Sequence, residues 1–174
     1  MILSSHIITA TAVTMPLATG PITPTKVAFI FIVAFCSHYL LDLIPHWDYK
    51  LVSIKTCHRE EKNGCVEKSK LKIDLIRTTL DGLLGIFISA LIISLSSLNL
   101  IDKIIVLSII IPTSILPDII EVINIFFKGQ PVAFLHKIHL FFHRKNIFMG
   151  QPLKGVPLQI AVLILIISFS FILQ

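Results

Sequence analysis

The chain has 174 residues, 55% of them hydrophobic and only 14% charged, with a formal net charge of +5 and a mean hydropathy of +0.89. Soluble domains carry about 25% charged residues, so this composition excludes an ordinary water-soluble enzyme and points to one integral membrane domain over residues 1–174. The basic balance does not call for a nucleic-acid partner, because the Lys and Arg residues fall between the oily segments, where the positive-inside rule puts them.

Crossing about 30 Å of hydrocarbon takes roughly 20 apolar residues. Residues 2–19 are a weak first candidate, rich in Thr and Ala. They lack the basic start of a secretory signal and read as a retained helix. Pro16, Pro21 and Pro24 then mark a break. Residues 27–45, VAFIFIVAFCSHYLLDLIP, form the second segment. Pro45 ends it, because the residue before a proline is steered out of the α region. His46, Trp47, Asp48 and Tyr49 follow at the interface, with His46 and Asp48 read as supporting His38 and Asp42 in a ligand role or, in preference, as solvated, and the two aromatics as headgroup-level anchors.

Residues 73–97 make the third segment, in which Gly82 and Gly85 suit close helix packing. The fourth, 103–127, contains Pro112 and Pro117, which interrupt backbone bonding and free carbonyl groups. FLHKIHLFFHRK reads as a basic amphipathic segment on the membrane surface. Residues 156–173 complete the set. The expected fold is an all-α polytopic membrane bundle of about five transmembrane helices plus that interfacial segment. There is no Walker loop, GxGxxG or GxSxG. Three cysteines, Cys36, Cys57 and Cys65, make no disulfide framework, and Cys57-His58 with Cys65 lacks the usual zinc spacing.

Charge orients the bundle. Segment 46–72 holds seven Lys/Arg and 128–155 holds five, whereas 20–26 and 98–103 hold one each. Five spans put the two basic loops on one side. The expected orientation is N-terminus in the cytoplasm and C-terminus outside.

The intramembrane polar groups gather on that same side. His38 and Asp42 are i and i+4 on one helical face. Asp74, Arg77 and Asp81 share a face at the start of the third helix, Asp118 and Glu121 lie near the end of the fourth, and His6 lies near the start of the first. His136, His139 and His143 follow at i, i+3 and i+7. Asp81 and Asp118 fall roughly 12–14 Å below the surface at 1.5 Å per residue. Buried acids need compensation, and Arg77 is the one basic residue within the spans. Carboxylates and imidazoles without enough Lys or Arg suit a divalent metal.

The combination of His6, SHYLLD (His38 to Asp42), Leu116-Pro117-Asp118 and His139-Leu-Phe-Phe-His143 resembles the membrane-bound metal-dependent hydrolases. These are small bacterial inner-membrane proteins distantly similar to zinc-dependent phospholipase C. The chain departs from that pattern where Ile119, Ile120 and Glu121 follow the Pro-Asp, in HKIHLFF, and in placing SHYLLD before LPD. The resemblance implies a divalent metal, zinc first, held by His38, Asp42, Asp118 and His139 or His143, with His6 and Asp81 completing one or more sites. Glu121, one turn from Asp118, is the expected general base. Arg77, Lys137 and Arg144 are expected to hold an anionic group of a lipid or phosphate-ester substrate. The competing readings are an ion transporter or channel component and a non-catalytic scaffold whose basic loops recruit a partner or anionic lipid.

Overall fold

The computed structural model describes residues 2–49, 51–55, 65–127, 129–143, 148 and 150–173. Cys57, His58 and the basic residues Lys50, Arg59, Lys62, Lys128, Arg144 and Lys145 lie outside the described residues. The helices are α1 (Leu3–Thr14, continued by a 3-10 turn at Met15–Leu17), α2 (Pro24–Asp42), α3 (Lys68–Ser94), α4 (Leu100–Phe126), α5 (Val132–Phe142) and α6 (Pro152–Ile172). A two-residue antiparallel ladder, β1 (Ile54–Lys55) with β2 (Cys65–Val66), closes the connection before α3. The protein is an all-α membrane helix bundle.

Four helices are long and apolar enough to cross a bilayer: α2, α3, α4 and α6. Local chemistry extends two of them beyond their apolar cores. Thr23 caps α2 by accepting from the Lys26 N–H, with Pro24 in the first turn where its missing N–H does no harm. Asn99 caps α4 by accepting from the Asp102 N–H at 2.9 Å. Their outer faces carry Phe29, Leu40, Leu80, Phe87, Leu165 and Phe169, all exposed. In a bilayer those side chains meet acyl chains, and the helical backbone keeps its polar groups satisfied internally.

The expectation of a fifth full span at 2–19 needs correcting. α1 has twelve residues, about 18 Å at 1.5 Å each, and is sheathed by α2, α3, α4 and α6. Ser4 through Ala12 are buried without exception. Small side chains let neighbouring backbones come close, and two of the threonine hydroxyls satisfy themselves on the helix. Thr11 donates to the Ile7 carbonyl at 2.9 Å, and Thr14 to the Ala10 carbonyl at 2.7 Å. Ser170 donates to the Ala12 carbonyl at 2.5 Å and ties α6 to this axis. A helix surrounded by protein needs no lipid-facing surface, which explains its weak hydrophobicity. Below its polar start, the core is Ile8, Ala10, Ile30, Ala34, Val106 and Ile110.

Gly85 sets the α1–α3 approach. A Cβ added there would stand 2.7 Å from the Ser4 Cα, whereas one at Gly82 would meet nothing within 4 Å. Gly85→Ala is therefore expected to destabilise the bundle by about 1–3 kcal/mol through overpacking. Gly82→Ala should be neutral or stabilising by up to about 1 kcal/mol from helix propensity. Thermal unfolding of both variants in detergent checks this, and equal melting temperatures would count against the close contact.

Candidate metal centre

Four elements bring chemistry to one end of the bundle. The last turn of α2 presents His38 and Asp42 on one face. The C-terminal half of α4 presents Asp118 and, one turn on, Glu121. Helix α5 packs against α4 and α2 and presents His139. Helix α1 brings His6 beneath them. His6, His38, Asp42 and His139 are all at most 1% exposed.

Their donor atoms converge. His38 Nε2 lies 3.2 Å from Asp42 Oδ2 and 3.5 Å from Asp118 Oδ1. His139 Nε2 lies 3.3 Å from Asp42 Oδ2, 3.6 Å from Asp118 Oδ1 and 3.3 Å from His38 Nε2. Five of the six separations among these four atoms thus fall between 3.2 and 3.6 Å. Ligands held tetrahedrally at 2.0–2.1 Å from a zinc ion stand about 3.4 Å from one another. The spacing matches the edges of that tetrahedron.

The hydrogen bonds behind the rings fix which atoms face inward. His38 Nδ1 lies 2.7 Å from the Ser114 carbonyl, which can only accept, so Nδ1 carries a proton. Pro117, just beyond, has no N–H to offer the preceding turn and bends the carbonyl row of α4. In the neutral ring, His38 Nε2 is then a lone pair facing two carboxylate oxygens. A proton or a bound cation between them relieves such a meeting of acceptors. Behind His139 the contact is an ion-pair distance, with Nδ1 3.2 Å from Glu121 Oε2 but without hydrogen-bond alignment. A carboxylate on the far nitrogen of a ligating imidazole fixes the ring and raises its basicity. Glu121 stands at the far nitrogen of His139, with its own side chain 44% exposed, and groups with Asp118 and His139.

His139 lies outside the spans, and its metal-free protonation can be read. Burial disfavours the charged ring, but the carboxylates of Asp42 and Glu121 outweigh it and raise the pKa to about 9. For His46 burial is the largest influence, joined by repulsion from the N-terminal charge and His143, and together they lower its pKa to about 4 against the pull of the Ile44 carbonyl and Asp42.

The other expected ligands divide. His6 joins the group: its Nε2 is 3.4 Å from Asp42 Oδ1 and its ring stacks on His38 with centroids 3.8 Å apart. His143 stands on the next turn of chain, with its ring 5.4 Å from that of His139, and groups with Asp42 and His46. Asp81 joins none of the metal-type groups found among the described residues. It accepts from Ser4 Oγ at 2.5 Å and lies 3.4 Å from the Tyr49 hydroxyl, so it is a link between α3, α1 and the loop. Asp74 accepts from the Val52 and Ser53 N–H groups at 3.1 and 2.7 Å, holding that loop. His46, read as solvated, is fully buried.

Compared with protein-family models, curated proteins and solved structures, the chain matches none.

The proton on His139 supplies a test of the centre. Its folded pKa lies above the unfolded value of about 6.5. That stabilises the metal-free fold fully below about 6.5 and fades as pH rises through about 9. A cation competes for the same Nε2, so loading near pH 7 should release about one proton, and affinity should rise towards pH 9. Calorimetry in two buffers of different ionisation enthalpy measures the release. Glu121→Gln should weaken metal binding by about 10–100-fold without abolishing it, and an unchanged affinity would remove Glu121 from the centre.

Proposed function

We propose that this protein is a metal-dependent hydrolase of the membrane, with one divalent ion, zinc first, held by His38, Asp42, Asp118 and His139. The observation that carries this reading is the near-tetrahedral spacing of their four inward atoms. Two imidazole nitrogens and two carboxylate oxygens also form a donor set that suits zinc.

A divalent ion held there would act as a Lewis acid towards a phosphoryl or acyl oxygen. The chain's own residues do the rest. Ser114 and Glu121 lock the two imidazoles from behind. Asp42 is buried on the closed side, whereas the Asp118 and Glu121 side chains keep 24% and 44% exposure, so substrate approaches from their side. We assign Glu121 the task of positioning His139, in place of the general-base role its spacing suggested. Basic loops at this end favour a cytoplasmic face.

The substrate fitting this depth is a lipid or other phosphate ester. A cavity of about 560 Å³ is lined by Ile2, Trp47, Tyr49, Arg77, Leu80 and Asp81. It offers aromatic walls and a guanidinium to an anionic headgroup. An ion-conducting reading needs charged or imidazole groups through the bundle, but beyond His6 the described core holds Ile8, Ala34, Val106 and Ile110 with only hydroxyl side chains such as Thr11, Thr14 and Ser170 among them. A scaffold reading leaves the converging lone pairs unexplained.

Elemental mass spectrometry on the purified chain in mild detergent tests the proposal. The wild type should carry at least about one zinc or manganese, and a folded Asp42→Ala variant should lose it, together with any metal-dependent phosphate-ester hydrolysis. A folded wild type that stays metal-free after metal is added back would contradict the reading, as would full metal retention in Asp42→Ala.

A further inference from the structure

A second group of ligand atoms stands against the first. Asp42, His46 and His143 each offer one donor atom, all within 4.8 Å of one another. Asp48 Oδ2 is 4.0 Å from His143 Nε2, and the His46 and His143 rings meet edge to face with centroids 5.1 Å apart.

The decisive residue is His46. Its Nδ1 lies 2.7 Å from the Ile44 carbonyl, which fixes the proton on Nδ1 and leaves Nε2 as a lone pair. The residue is 0% exposed, and Nε2 is buried without a hydrogen-bond partner. A buried imidazole with its back nitrogen fixed on a carbonyl repeats the arrangement at His38, and here the front nitrogen has no partner. The fold holds it there deliberately. Gln159 Nε2 on α6 donates to the Trp47 carbonyl at 2.9 Å. A Cβ on Gly155 would come within 2.4 Å of the Trp47 Cβ, so only glycine lets α6 press this segment inward.

The geometry points to a second divalent-cation site formed by Asp42, His46 and His143, with Asp48 beside it, sharing Asp42 with the first. This rests on the reading of the His38, Asp42, Asp118 and His139 group as a metal centre. Two nitrogens with carboxylate oxygen select a first-row divalent ion such as zinc or manganese over calcium or magnesium. Two ions about 3.5–4 Å apart form a clamp for the attacking and leaving oxygens of a phosphoryl group. The paired sites therefore narrow the substrate class from esters in general to phosphate esters.

Zinc stoichiometry of the full chain in detergent, stripped with chelator and reloaded with zinc alone, tests the assignment. The wild type should hold two zinc ions, and His143→Gln and His46→Gln should each hold one. His143 is partly exposed, so His143→Gln decides the matter if the buried His46→Gln variant fails to keep its helical circular dichroism. One zinc in the wild type and in both variants overturns the second site and leaves the first standing. Two zincs retained in every variant overturns the assignment of the second ion to these residues. A folded wild type without zinc overturns both sites together.

Discussion

At the centre of this structure, unshared electron pairs are turned towards one another in a place where water cannot dilute them. His38, with its Nδ1 proton committed to the Ser114 carbonyl, points its Nε2 at carboxylate oxygens 3.2 and 3.5 Å away. In a buried, low-dielectric setting such a meeting of acceptors is strongly unfavourable. It becomes favourable when a proton or a metal ion takes the middle. In the metal-free state, the raised basicity of His139 supplies a proton. A divalent ion can engage all four atoms together, which a single proton cannot.

The rest of the fold serves to hold those groups still. The short helix α1 makes this possible because its Ser, Thr and Ala side chains let four helices close around it. Gly85 brings α3 against Ser4, and Gly155 brings α6 against the segment after α2. The outer helices present their large apolar side chains to lipid, and the polar side chains of α1 are spent on local hydrogen bonds or on the centre. A membrane protein has little hydrophobic drive between helices within the bilayer, so close backbone approach and polar contacts of this kind carry the packing.

Much of the centre was legible because helical spacing fixes depth. His38 and Asp42 share a face at i and i+4, and Asp118 and His139 fall at the same end of the bundle. Depth does not fix rotation about the helix axis. Asp81 and Asp118 were expected at matching depth, yet Asp81 turns to Ser4 and Tyr49 while Asp118 turns to the imidazoles. The full span expected at 2–19 failed for a related reason. Weak hydrophobicity was read as a weak membrane helix, when it marks a helix enclosed by protein. His46 was left between a supporting and a solvated role because residues 43–49 have no helical period to assign a facing direction. The available signal was a histidine and an acid immediately after Pro45, together with the glycine and glutamine of α6 that press on the same segment.

The central claim is that nitrogen and oxygen atoms of this His/Asp cluster, and no sulfur, hold a divalent ion. X-ray absorption at the zinc edge of the zinc-loaded protein reads the ligand atoms directly. The account predicts a shell of nitrogen and oxygen at about 2.0–2.1 Å with outer-shell scattering from imidazole rings. A sulfur shell at about 2.3 Å would place the ion on cysteine and contradict the assignment.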